Sequence, residues 1–301
     1  MSDFAASYET HDVEVNGRAL RAYRTGGDKP QVVYVHGYTD SALSAKMLID
    51  ELKGDYDVIA YDSRGHGASN RIDQPYTIVD LADDLAGLID AMQLDRPIGI
   101  GHSMGAATVL LAAARYPRHM RAIVAEDPPL APVTGSRDMN LWKNNHIALV
   151  EQGLDAITAA YRGQYAKWRE EDILTRAKAR HEFDVTVFDQ MKWQDSPDWH
   201  DWAGDIQCPG LLLAGNAELG GIAISPYAEE FVSLWENGEL VKFTNVGHQI
   251  RCEQPKPMPK PCYRSWRNTA KKWCLTLTRR EALRCWCHSF CVRRQHEKQV
   301  D

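Results

Sequence analysis

Before residue 252 the chain carries one cysteine, Cys208, although its 301 residues hold seven. A single thiol builds no disulfide framework, so this body must rely on its core, as proteins of reducing compartments do. Long apolar runs are missing too. No stretch approaches the eighteen or so consecutive apolar residues of a membrane span, which argues against one. The first residues, MSDFAASYETHDVEV, lack a basic start followed by an apolar segment, so no secretory signal is read there and a cytoplasmic setting is expected. Positive charge is scarce in the body: residues 252–301 hold 12 Lys+Arg against 4 Asp+Glu, leaving 23 against 37 for everything before them. An acidic body argues against nucleic acid as a partner, because phosphate contacts need a basic face.

What is present is a rhythm. Residues 8–24 alternate polar and apolar around Asn16-Gly17, a hairpin signal. Short apolar runs follow at 32–35, 58–61, 98–101, 122–125 and 211–214, with a sixth at 240–243. Helical spacing of apolar residues appears at 41–53, 77–92 and 104–115. Strands alternating with helices predict crossover units and a mostly parallel sheet, whose chemistry gathers at the carboxyl ends of the strands. Residues 130–205 interrupt this pattern with charged, helix-like sequence rich in tryptophan (Trp142, Trp168, Trp193, Trp199 and Trp202), read as a helical cap inserted over the sheet. The division expected is therefore a core of residues 1–129 and 206–251 and a cap of residues 130–205.

The sharpest motif is Gly101-His102-Ser103-Met104-Gly105, a Gly-x-Ser-x-Gly between an apolar strand and an apolar helix. A strand that turns at once into a helix strains the serine backbone, and glycines two residues either side leave room for strand and helix to approach. Ser103 is then raised as a nucleophile, and the Met104 amide sits at a helix N-terminus, where an oxyanion is favoured. The second oxyanion amide is expected just after His36-Gly37, at Tyr38. A serine needs a base and the base needs an orienting acid. His248, in Val246-Gly247-His248 after the last strand, is the expected base. Glu218 is the carboxylate in the turn after the 211–214 strand and is expected as the acid. Asp127, with Glu126 before it, ends the preceding strand and is a second carboxylate able to reach the same imidazole. His36 is read as holding its loop, His102 as packing, and Asp62 to Ser69 as a glycine loop braced by Asp62 and Arg64.

Taken together, His36-Gly37, Asp62-Ser63-Arg64-Gly65-His66-Gly67-Ala68-Ser69, Gly101-His102-Ser103-Met104-Gly105 and Gly247-His248 resemble the α/β-hydrolase fold family over about residues 8–251. The resemblance implies an eight-stranded, mostly parallel sheet flanked by helices, with a helical cap and no cofactor or metal. It implies Ser103, Glu218 and His248 as the triad, with Tyr38 and Met104 as oxyanion amides; glutamate departs from the commoner aspartate. The serine excludes the epoxide hydrolase and haloalkane dehalogenase branches, which use aspartate there. The function expected is a serine esterase acting through an acyl-enzyme on a small, apolar or aromatic ester. The alternatives are a cofactor-free haloperoxidase (perhydrolase) or carbon–carbon bond hydrolase on the same triad, and a non-catalytic small-ligand binding protein.

The segment 252–301 does not fit this pattern. A closing amphipathic helix is expected there, yet Pro257, Pro259 and Pro261 forbid one before Cys262. Codons can be chosen for Lys256 to Cys274 that, read after dropping two bases, encode Ala-Tyr-Ala-Glu-Ala-Met-Leu-Pro-Phe-Leu-Ala-Glu-His-Arg-Glu-Glu-Val-Val, an amphipathic helix. The segment is accordingly expected to be the product of a shifted reading frame, non-native or poorly ordered. Cys285-x-Cys287-His288-x-x-Cys291 does not match a recognised zinc spacing.

Overall fold

The computed structural model describes residues 4–131 and 139–253. The expectations placed on residues 254–301 lie outside the described residues.

Eight strands form one sheet: β1 (Glu9–Val15), β2 (Arg18–Arg24), β3 (Gln31–Val35), β4 (Asp57–Tyr61), β5 (Ile98–His102), β6 (Ala122–Glu126), β7 (Gly210–Ala214) and β8 (Gly238–Lys242). Their spatial order is β1-β2-β4-β3-β5-β6-β7-β8. The β1–β2 hairpin turns at Asn16 (φ 50°) and Gly17 (φ 74°), the pair of positive φ values that a two-residue hairpin turn demands. β2 meets β4 antiparallel, and from β4 onward every pairing is parallel. The eight-stranded, mostly parallel sheet is thus the one the sequence implies.

Between the strands run α1 (Lys46–Leu52), α2 (Ile78–Ala91), α3 (Met104–Arg115), α4 (Met139–Val150), α5 (Leu154–Gln164), α6 (Glu170–Glu182), α7 (Val187–Gln190), α8 (Tyr227–Leu234) and α9 (Ile250–Glu253). Residue alternation along the strands divides the core into two. Val33 and Val35 of β3 pack on the side of α2 and α3, whereas Val32 and Tyr34 face α1 and Ile250 of α9. The start of α2 is fixed by a capping box in which Thr77 and Asp80 exchange side-chain and backbone hydrogen bonds. Asp80 and the buried Asp84 in turn grip Arg64, whose Nε donates to Asp84 Oδ2 at 2.6 Å. Asp62 receives the amides of Ala42 (2.7 Å) and Ala68 (2.9 Å), so the 62–69 loop is braced by the two residues expected to brace it.

Helices α4 to α7 and three 3-10 turns lie between β6 and β7. This insertion reaches the rest of the chain through Arg169, which meets Glu51 of α1, through a bridge between Tyr76 and Met191, and through an aromatic cluster. In that cluster Tyr38 meets the rings of Trp142, Phe183, Phe188 and Trp193 at 5.3–5.9 Å between centroids. Trp199 is held inside by its Nε1–H on Leu130 O (2.8 Å) and packs on Phe231.

Candidate active site

Ser103 follows β5 directly and caps α3, with φ 54° and ψ −116°, a conformation that side-chain-bearing residues rarely adopt. Two glycines make it possible. A Cβ on Gly101 would lie 2.1 Å from the carbonyl oxygen of Gly105, and a Cβ on Gly105 would lie 2.1 Å from that of Val35. The serine amide donates to Glu126 O of the neighbouring strand at 2.8 Å, which locks the turn onto β6.

Asp127 is the next residue after β6. It is fully buried and also turns through positive φ (49°), a conformation aspartate tolerates better than most residues. Its Oδ1 accepts the amides of Gly215 (3.0 Å) and Ala223 (3.1 Å), and its Oδ2 accepts that of Ile222 (2.8 Å). Oδ2 also lies 2.6 Å from His248 Nδ1, the ring N–H donating to it. The carboxylate on the histidine is therefore that of Asp127, which corrects the expectation of Glu218. Glu218 sits exposed in a 3-10 turn, its amide bonded to the side chain of Asn216. The loop after β7 contributes backbone N–H groups to Asp127 where a carboxylate was expected of it.

The histidine loop is stitched down on three sides. Gly247 N donates to Glu253 Oε2 at 2.6 Å. The amide of Arg251 and its Nη1 each reach the Glu126 carboxylate at 2.9 Å, in a pair buried beneath the sheet rim. His102 Nε2 donates to His248 O at 3.1 Å, its ring lying 4.6 Å from the His248 ring. His102 thus anchors the loop as well as packing. Burial, and then the positive charges of Arg251 and neighbouring groups, hold its imidazole well below the ordinary histidine range.

On the opposite side of the cleft, His36 Nε2 accepts the Ser63 amide at 3.0 Å and His66 Nε2 donates to Tyr38 O at 2.6 Å, so two imidazoles fix the loop carrying Tyr38. Neither the Tyr38 nor the Met104 backbone N–H donates to a protein group among the described residues. Asp40 and Gln249 meet on one atom: Arg176 Nη1 of α6 lies 3.0 Å from Asp40 Oδ2 and 2.7 Å from Gln249 Oε1. Burial raises the Asp40 carboxyl, but Arg176 and Arg251 outweigh it and hold it below the ordinary value. The sequence reading had missed this network, for which an arginine inside a helix between β6 and β7 is no signal by itself. Ser103, His248, Tyr38, Trp142, Arg176 and Gln249 line one cleft of about 600 Å³.

The model of the α/β-hydrolase fold family matches residues 30–167. The chain has the α/β-hydrolase fold. Among its relatives is the 2-(acetamidomethylene)succinate hydrolase of Mesorhizobium japonicum, 31% identical over 55% of this chain and 60% of that protein. Esterase YbfF of Escherichia coli K12 is 26% identical over 81% of this chain and 95% of its own length. Among solved structures, the N-formylmaleamic acid deformylase of Pseudomonas putida S16 superposes with a TM-score of 0.68 at 23% identity, covering 82% of this chain and 96% of that one. No helix among the described residues is long and apolar enough to cross a membrane, and no group of His, Cys, Asp and Glu there is arranged to hold a metal ion.

Proposed function

We propose that the chain hydrolyses a carboxylic ester or a related carbonyl substrate through an acyl-enzyme on Ser103. The observation that carries this reading is the 2.6 Å contact between His248 Nδ1 and a buried Asp127 carboxylate, in a cleft that Ser103 shares with His248. Asp127 holds the imidazole with Nδ1 protonated, which leaves Nε2 free to accept the Ser103 proton as Oγ attacks the carbonyl carbon. Charge on the carbonyl oxygen is received by the amides of Tyr38 and Met104. His248 then returns the proton to the leaving group. Water, deprotonated by the same ring, releases the acid and restores the serine. Three of the relatives carry names of ester or N-acyl cleavage and two are named epoxide hydrolases, which supports a hydrolase; the serine at position 103 favours the carbonyl class.

Residues 130–205 serve as a cap in this proposal. Their Trp142, together with Tyr38, gives the cleft an aromatic wall suited to an apolar or aromatic part of a small-molecule substrate. A cytoplasmic setting accords with the two described cysteines, Cys208 and Cys252, being free and buried.

The test is labelling with a fluorophosphonate followed by a panel of p-nitrophenyl esters. The parent chain labels at Ser103 and turns over short esters; Ser103→Ala does neither. Turnover retained by Ser103→Ala, or a parent chain that is never labelled, refutes the assignment.

A further inference from the structure

We infer that the cleft contains a second, anion-binding subsite, formed by Arg176 and Arg180 on one face of α6, that receives a carboxylate carried by the substrate. The inference rests on the proposed hydrolytic site for the role of its ligand, and it specifies which carbonyl compounds that site accepts.

The argument begins with charge. Arg176 and Arg180 are four residues apart on α6 and so lie side by side. Arg176 lines the cleft with Ser103 and His248, and its Nη1 is engaged by Asp40 and Gln249. Its Nε is buried with no protein partner. Arg180 has no ion pair and no hydrogen bond among the described residues, and its Nε is likewise buried. Asp40 thus pairs with Arg176, and Arg180 is left without a carboxylate partner among the described residues. The other carboxylates of the rim are already engaged: Glu126 by Arg251, Asp127 by His248 and three amides, Glu253 by the Gly247 amide. Arg180 is therefore a guanidinium with a buried Nε and no carboxylate partner among the described residues, an expensive state unless an anion completes it.

A third side chain agrees. His146 of α4 follows Asn145, which lines the cleft, and it is fully buried with neither ring nitrogen partnered by protein. Burial first, and then the charge of Arg180, push its imidazole down to about 4, which makes the ring neutral at physiological pH and places it within the field of that guanidinium. A neutral imidazole supplies one N–H to an oxygen acceptor. Buried polar atoms without partners are uncommon in native proteins, and here Arg176, Arg180 and His146 supply four of them from α6 and α4.

The ligand chemistry follows. The single unpaired guanidinium of Arg180 matches a carboxylate better than a phosphate, which carries close to two charges. A planar carboxylate also fits the fork of a guanidinium. The substrate class is then an ester or amide with a free carboxylate at one end, its apolar part against Tyr38 and Trp142 and its carbonyl at Ser103.

Binding is measured by calorimetry on the full chain carrying Ser103→Ala, so that turnover plays no part, with 3-phenylpropanoate and its uncharged analogue 3-phenylpropanamide. The acid is expected to bind at least about tenfold more tightly than the amide. Arg180→Gln, added to the same chain, should abolish that preference. Arg180→Lys, which keeps the charge but not the fork, should reduce it by about threefold or more and serves alone if the glutamine variant does not fold. Equal affinity for acid and amide, no binding of either at about 10 mM, or a preference that survives in the Arg180 variant that folds, overturns the inference. Fluorophosphonate labelling separates the two claims. Acid binding through Arg180 in a chain never labelled at Ser103 keeps the subsite and discards the hydrolase, and labelling without acid preference does the reverse.

Discussion

Replacing Asp127 by Asn tests the geometry most sharply, because the structure specifies what each orientation of the amide would lose. Oδ1 of Asp127 holds the Gly215 and Ala223 amides, whereas Oδ2 holds the Ile222 amide and His248 Nδ1. If the asparagine oxygen takes the Oδ2 place, the Gly215 and Ala223 N–H groups both face an NH2 group, at about 1–3 kcal/mol for each orphaned buried donor. If it takes the Oδ1 place, only the Ile222 N–H is orphaned, and the NH2 donates to His248 Nδ1. The second orientation costs less and so prevails. It forces the ring proton onto Nε2, the nitrogen that must accept from Ser103. Turnover should then fall by about 1,000- to 10,000-fold, while stability falls by only about 1–3 kcal/mol. Glu218→Gln, an exposed change, should stay within about twofold of the parent in rate. The assays are p-nitrophenyl ester turnover and urea unfolding of the three chains. An Asp127→Asn chain that retains a tenth of the parent rate, or a Glu218→Gln chain that loses most of it, refutes the assignment of Asp127.

Other consequences are open to measurement. Gly105→Ala places a methyl group 2.1 Å from Val35 O, a backbone atom that cannot turn aside, so a loss above about 4 kcal/mol or failure to fold is expected; a soluble variant unfolding near the parent midpoint contradicts it. Arg251→Met leaves the Glu126 carboxylate, 2% exposed, without its cation and should cost about 3–5 kcal/mol in urea unfolding, partly recovered by adding Glu126→Gln. Acid should weaken the fold. Burial lowers His36 to about 3 and His146 to about 4, and holds His66 and His102 below the ordinary value, so below about pH 6.5 the unfolded chain binds protons that the folded chain refuses. Each such histidine contributes a slope of up to about 1.4 kcal/mol per pH unit. Asp62, raised to about 6 by burial, opposes them with one proton that the folded state takes up. Unfolding free energies at about pH 7.5, 6 and 5 should decline in that order, and a flat or rising series contradicts the reading.

Much of the molecule was legible because its signals are local. Asn16-Gly17 turns as a hairpin because both residues accept positive φ, and the apolar runs became β3 to β8 within a residue or two of where they were read. Gly101 and Gly105 marked the strand-to-helix turn through a steric requirement that only glycine meets. The choice of acid failed because it depends on relations between strands. Glu218 and Asp127 both follow strands, and no pattern along the chain says that the loop at 215–223 curls back to present amides to Asp127. The available signal was the Glu126-Asp127-Pro128-Pro129 sequence at the end of a strand with wholly buried residues, where a carboxylate needs a reason to be. Nor does the chain announce that Arg176 of a remote helix meets both Asp40 and Gln249, since three distant segments supply that contact.

The register between β5 and β6 pairs His102 with Glu126, so the residues just beyond, Ser103 and Asp127, leave the sheet side by side. Their separation is governed by main-chain ladder spacing, which no side-chain substitution in the helical layer above can alter. On the proposed reading, variation at positions such as Trp142, His146 or Arg180 redirects which molecules enter without disturbing the alignment of Ser103 and Asp127. An engineer seeking a new specificity has a fixed floor to build upon and a ceiling that can be rebuilt.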